Sequence, residues 1–397
     1  MARFNAVPVT EEAVDVLRYG IPDDRIVLKV APPEGEEGLS ASEGFIKTLH
    51  RERVEESTFG TKNVSSVCSM EIWYEDEEVE FYFTVPTREE ENHYRRQLAG
   101  YFFGISITEM IDAQDKFLDV DESQYAAATE LSLRNHYFEP ISNALGGGDD
   151  QSDSDPYKSI LNEMDTKDIS MRSMIQVVYK PASDKWTSTP VSDVEDYAKE
   201  MEDQGVSDPK VFGTRSRSVE DSSAQSATAS AIRDRASSQA FHADIRIAVF
   251  HESKEEAVQE LETLSRLFET VFRERSGQQF VPRKGTGSAE TLRKMVERKS
   301  DRLYTPNSFR DWVGYNFRTQ TDYMVFTVSE LASIAHIPSS DDLNVDGIQW
   351  TDDPVKGTLP PDAKKFREVT EEEKEQAGEY AGTPEMHKFP SKSGDSR

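Results

Sequence analysis

Apolar and polar positions alternate with a period of two over Ser69–Tyr74 and again over Val79–Val85, where Val79, Phe81, Phe83 and Val85 share one face. Glu75-Asp-Glu-Glu78 between them reads as a hairpin turn, and Pro86 ends the pair. The period then lengthens. Tyr94, Leu98 and Tyr101 recur at helical spacing and predict a helix from about 87 to 102, after which Ile105 and Ile107 suggest a third strand. A similar order returns with a strand over 174–179 and another over 243–250 that turns Ile245, Ile247 and Val249 inward. A helix from about 254 to 272 follows, with Leu261, Leu264, Leu267, Phe268 and Val271 on one stripe. The pattern predicts an α+β fold of two related halves, each an antiparallel sheet covered by helices.

Around these halves the signals are local. Thr10 reads as the N-cap of a helix over 10–18, and Phe45, Ile46 and Leu49 mark a second short helix. Gly146-Gly-Gly-Asp-Asp-Gln-Ser-Asp-Ser-Asp155 offers nothing apolar to a core and predicts a linker. The Ser/Ala-rich stretch 216–239 leans to helix, because alanine is the best helix former. Glu330–Ala335 predicts a short helix that stops near His336, since Pro338 disfavours helical geometry just before it. The expected division is a helical segment over 1–60, a first half over 61–145, a linker over 146–156 and a second half over 157–338. A boundary loop and a disordered acidic tail take up 339–397.

Charge changes the picture. Of 397 residues, 75 are Asp or Glu against 46 Lys or Arg, a net charge of -29 spread over the whole length. That scatter resembles the carboxylate-rich surfaces of extreme halophiles, which molar salt screens to a Debye length of about 3 Å. Only 36% of the chain is hydrophobic, so part of it is expected outside any core. The single Cys68 excludes an intramolecular disulfide framework, and no apolar run approaches a membrane span. A cytoplasmic protein is expected, peripheral at a membrane only through a partner.

The candidate chemistry is sparse. No G-x-x-x-x-G-K-[ST] phosphate cradle and no G-x-S-x-G nucleophile elbow occur, and the seven histidines include no metal-binding pair. No catalytic residue, cofactor or metal is therefore expected. The segment 273–318 departs from its surroundings with eleven Arg/Lys against five acids, interleaved with Phe280, Tyr304, Phe309, Trp312, Tyr315 and Phe317. Arg283, Lys284, Arg293, Lys294, Arg298 and Lys299 are candidates for a partner-docking face or a single-strand DNA surface. The competing expectation is that they neutralise the chain's own acids.

Several pieces occur in the order of one family. Glu71-Ile-Trp with Phe81-Tyr-Phe-Thr-Val-Pro86, Asp155-Pro-Tyr, Gln176-Val-Val-Tyr-Lys-Pro181 with Trp186, and Phe241–Ile247 are followed by Glu330-Leu-Ala, His336-Ile-Pro338, Gly347-Ile-Gln-Trp350 and Leu359-Pro-Pro361. Together they resemble the non-catalytic N-terminal region of HerA/TraG-like type IV secretion and conjugation ATPases, in a haloarchaeal version. The resemblance implies an assembly module of a plasmid or virus, with a separate DNA-translocating ATPase as partner and self-association open. It gives Glu330, His336, Pro338 and Trp350 packing and turn roles at the family's motor boundary, although no motor motif is present here. The alternatives are the N-terminal part of a split motor and a single-strand DNA-binding accessory protein.

If the acids need screening, the unfolding temperature rises steeply between roughly 0.1 and 2 M KCl. A thermal-melt series in KCl checks this, and a flat series excludes the halophilic surface.

Overall fold

A computed structural model describes residues 4–10, 25–110, 120–142, 155–206, 219–300, 302–303 and 323–351, except 36, 37, 58, 59, 166, 167, 169, 188–192, 275, 342 and 344. Its strands are β1 (Ala6–Pro8), β2 (Ile26–Ala31), β3 (Val54–Ser57), β4 (Gly60–Asn63), β5 (Cys68–Glu75), β6 (Glu78–Val85), β7 (Ser106–Glu109), β8 (Tyr125–Leu133), β9 (Arg172–Pro181), β10 (Ala240–His251), β11 (Phe280–Pro282) and β12 (Val325–Thr327). Its α-helices are α1 (Leu39–Thr48), α2 (Arg88–Tyr101), α3 (Tyr157–Met164), α4 (Val194–Val206), α5 (Val219–Ala236), α6 (Lys254–Val271), α7 (Ser288–Glu297) and α8 (Val328–Ile334).

Apart from the β3–β4 hairpin, the strands join in one ten-stranded sheet with antiparallel pairing between strands, ordered β1-β8-β10-β9-β5-β6-β2-β7, with β11 on β8 and β12 on β10. This order explains the repetition seen in the sequence. Within β2, β5, β6 and β7 the spatial order is fourth, first, third, second, and β8, β9, β10 and β11 have the same order. In each set a helix follows the first strand and another follows the third: α1 and α2 in one, α3 and α6 in the other. Each set is thus a βαββαβ split unit. The helices touch within each pair, and the two units join where β5 runs antiparallel to β9.

The joint after the third strand is built alike in both. The Thr87 side chain accepts from Glu90 N–H at the start of α2, and Ser253 accepts from Glu256 N–H at the start of α6, with acids in both first turns. The β5–β6 turn places Asp76 and Glu77 at positive φ, the geometry a two-residue hairpin loop needs.

The two-half expectation is met, but the halves share one sheet and divide elsewhere. β8, which lies before the expected linker at 146–156, pairs with β10, which lies after it. Residues 1–60 contribute β1 and β2 to the sheet as well as α1. The expected helix 10–18, nearly all of the linker and the tail from 352 fall outside the described residues. The Ser/Ala-rich stretch does form α5, which packs on α4.

One sheet face carries the main core: Phe81, Phe83, Ile175, Val177, Ile245 and Ile247 meet Phe45 of α1, Tyr94 and Leu98 of α2, Leu161 of α3 and Leu261, Leu264 and Phe268 of α6. The opposite face holds a smaller cluster around Trp73, Tyr82, Met174 and Phe250, to which α7 contributes Met295 and Val296. Among the described residues no helix is long and apolar enough to cross a membrane.

Since Thr87 and Ser253 cap equivalent helices, Thr87→Ala and Ser253→Ala should each cost about 1 kcal/mol. Urea unfolding in molar KCl measures both; a cost at one site alone would break the equivalence.

Candidate functional site

The second sheet face bears a row of polar side chains in direct register. Glu71 of β5 pairs with Gln176 of β9, Gln176 with Arg246 of β10, and Arg246 with Glu130 of β8. All four are fully buried. Because strand side chains alternate, the neighbours of these residues in sequence, such as Ile72, Ile175 and Ile245, face the helix-covered core. Gln176 Nε2 donates to Glu71 Oε1 at 3.1 Å, and Arg246 Nη1 donates to Gln176 Oε1 at 3.0 Å. Arg246 Nη2 also reaches Asp244 Oδ2 at 2.7 Å, and Arg246 Nε lies 3.8 Å from Glu130 Oε1.

The basic stretch closes over this row. Arg298 sends Nε to Glu71 Oε1 at 2.9 Å and Nη2 to Oε2 at 3.1 Å, a two-pronged pair, and Nε also reaches Thr84 Oγ1 at 3.2 Å. Lys294 Nζ lies 2.9 Å from Glu130 Oε1, Arg283 bonds Glu130 Oε2, and Arg302 pairs with Asp244. The sheet in turn satisfies backbone carbonyls at the C-terminal end of α7: Arg246 donates to Lys294 O and Lys299 O, and Gln176 to Met295 O. A cation at a helix C-terminus is also favoured by the helix dipole.

Burial raises the carboxyl pKa of Glu130, but the Arg302 and Arg246 charges and the bonds from Lys294 and Arg283 outweigh it and bring it down to about 2. The stability this gives is complete above the ordinary carboxylate pKa of 4.5 and is lost as pH falls towards 2.

Three of the six basic candidates therefore point inward. Arg283, Lys294 and Arg298 hold Glu130 and Glu71, which corrects the idea of a single docking face. The physical reason is that buried carboxylates demand partners. Lys284, Arg293 and Lys299 are exposed, with Arg293 Nη1 3.0 Å from Glu297 Oε1 on the same helix. Tyr304, Phe309, Trp312, Tyr315 and Phe317 lie outside the described residues.

A second knot gathers the boundary residues. Glu330 completes a capping box with Thr327 at the start of α8, and its Oε1 accepts from Ile141 N–H at 3.2 Å. Arg235 of α5 donates to Glu330 Oε2 at 2.8 Å and to the carbonyls of Tyr137, Phe138 and Val325, and its guanidinium lies 5.6 Å from the Trp186 ring centroid. His336 Nε2 meets Asp155 Oδ1 at 2.9 Å while its ring stacks on Tyr157 at 4.3 Å. Pro338 is buried and Trp350 packs half-buried against the core.

One arrangement has the composition of a catalytic triad. Ser170 Oγ lies 2.8 Å from His251 Nε2, with Asp168 3.3 Å from that same nitrogen. The nearer partner of Nδ1 is the Ser253 N–H, which donates to it at 2.9 Å. In the neutral ring the proton then sits on Nε2, so His251 has no lone pair for the serine proton. Burial and the Lys180 charge push His242 down to about 3, so it is neutral at physiological pH. Among the described residues no group of three or more His, Cys, Asp or Glu is placed to hold a metal ion.

With this geometry in view, residues 1–350 match the family model described as "Domain of unknown function (DUF8128)". The chain belongs to the DUF8128 family. No curated protein matches this DUF8128 chain.

Sequence reasoning missed Glu71, Glu130, Asp244 and Arg246 as a site. The available signal was a charged residue set among apolar neighbours inside a strand, as in Met70-Glu71-Ile72 and Asp244-Ile245-Arg246-Ile247.

Arg298→Ala leaves Glu71 buried and lacking its two-pronged partner and should cost about 3–5 kcal/mol. Arg293→Ala removes an exposed pair worth about 0.3–0.5 kcal/mol. Denaturant midpoints of both variants check the contrast, and equal costs would overturn the assignment of Arg298 to the interior.

Proposed function

We propose that this protein is a non-enzymatic interaction and assembly module that works with a DNA-translocating ATPase of the conjugation or type IV secretion kind. The observation that carries the reading is where the residues bearing the family resemblance fall. Glu71, Gln176 and Arg246 lock one polar row. Trp186 and Glu330 meet through Arg235, and Asp155 meets His336. The resembling segments thus converge on buried pins that hold a scaffold, as an assembly part requires. Glu71, Gln176 and Glu330 engage other protein groups through both of their side-chain polar atoms. The sequence contains no phosphate cradle for nucleotide chemistry of its own.

The single-strand DNA alternative rests on the basic stretch, and it loses Arg283, Lys294 and Arg298 to the interior. Arg293, Lys284 and Lys299 remain for contacts with any partner.

The test is co-expression with the HerA/TraG-like ATPases of the same genome, followed by size exclusion in molar KCl. The expected result is a stable complex with one of them, a change in its DNA-stimulated ATP turnover, and no ATP hydrolysis by the module alone. Absence of a complex with every such ATPase overturns the reading. Turnover by the module itself, surviving removal of contaminating ATPases, overturns it as well.

A further inference from the structure

α7 with residues 298–300 and 302 forms a cover over the polar row, fastened in large part by polar contacts. α1, α2, α3 and α6 bury their apolar side chains in the larger core, with polar ties on α2 from Arg88, Glu90 and Arg95. α7 contributes Met295, Val296 and half-buried Leu292 to the small cluster, and much of its attachment is polar. Lys294 and Arg302 pair with Glu130 and Asp244, while Gln176 and Arg246 hold backbone carbonyls of the cover. These partners all belong to the β8–β11 unit.

To the β2–β7 unit the cover is bonded by Arg298, which binds Glu71 and Thr84. Arg298 is also the C-cap of α7 and sits in the left-handed region at φ 49. Glycine is the usual occupant of such a position, because a side chain is strained there. Among the described residues, the other non-glycine residues at positive φ, Asp76 and Glu77, serve a hairpin turn. At Arg298 the strain persists because the two-pronged bond to Glu71 holds it. On the other side of α7, Gly285 at φ 87 and Gly287 precede the helix.

Release of such a cover would return both charges to water and relieve the strained backbone. We propose that α7 with residues 298–300 and 302 is a cover that opens locally while the sheet stays folded, and that Arg298 on Glu71 is its catch. Opening presents the Glu71–Gln176–Arg246–Glu130 row, a carboxylate, an amide, a guanidinium and a carboxylate in line across four strands.

Hydrogen exchange by mass spectrometry on the full chain in molar KCl tests this. In the parent, amides of residues 288–303 should exchange about tenfold or more faster than those of β9 and β10. Arg298→Gly removes the catch and accommodates the left-handed backbone, so it should speed exchange of 288–303 on the order of a hundredfold further, while β9 and β10, exchanging through global unfolding, rise with it and stay slower than the cover. Glu71→Gln, which keeps the side-chain shape, should do the same and decides alone if Arg298→Gly does not fold. Exchange of 288–303 at the β9–β10 rate in the parent overturns the proposal. So does a variant that speeds β9 and β10 but leaves 288–303 at the parent rate, because Arg298 would then not be released when the cover opens.

Discussion

Three carboxylates and a guanidinium carried into the sheet interior by strand geometry are the constraint on which this structure turns. Glu71, Glu130, Asp244 and Arg246 sit at positions whose side chains must leave the helix-covered face, and each is at most 1% exposed on its side chain. An unpaired buried charge costs several kcal/mol, so none of the four is tolerable without partners. The strands supply a single cation among them, which leaves an acid excess on that face. The stretch from Arg283 to Arg302 supplies the rest. In a chain of net charge -29, four basic residues of that stretch, Arg283, Lys294, Arg298 and Arg302, are thus directed to an internal neutralisation problem.

This division of labour separates the two faces of the sheet. The helix-covered face is apolar and would accept many residues of similar size. The polar face is specific, because Gln176 fits between Glu71 and Arg246 only in the observed register. A one-residue slip of β9 would turn its amide into the apolar core. The β5–β9 junction, where the two βαββαβ units meet, is therefore fixed by polar register as well as by backbone bonds. A second tie runs over it from behind: after α8 the chain returns to the first unit, where Ile337 N–H donates to Ser42 Oγ, Val79 N–H to Gly347 O and Thr351 N–H to Pro32 O. The units are thus joined at both a strand pair and a returning segment.

What was legible in the sequence was whatever produced a clean period. β5, β6, β9 and β10, helices α2 and α6 and the small strand β7 all announced themselves, because one side of each meets the core and the spacing shows it, while Pro338 marked the stop of α8 before His336. β8 did not. Its Ala126, Ala127 and Ala128 give no contrast between faces, and its charged Glu130 reads as solvent-facing although it is completely buried. Without β8 the second unit lacks its first strand, so the sequence suggested a division at the glycine-rich stretch. β2 was missed for a related reason: Ile26-Val-Leu-Lys-Val-Ala31 is apolar on both sides and carries little alternation. The capping chemistry of α2 and α6 was within reach of the residues alone, but the site was not, since a row across four strands depends on pairings no local window contains.

The residues Glu, Gln, Arg, Asp and His that carry the family resemblance are the types a catalytic site would also use, and composition alone does not separate the two uses. Saturation does. Glu71 accepts from Ser69, Trp73, Gln176 and Arg298, so both its oxygens are engaged by protein groups. Glu330 is likewise divided between Arg235, Thr327 and Ile141. A general acid or base needs an oxygen open to the reacting atom, and a scaffold pin needs the reverse. By that criterion Glu71 and Glu330, with every side-chain oxygen engaged, specify a shape.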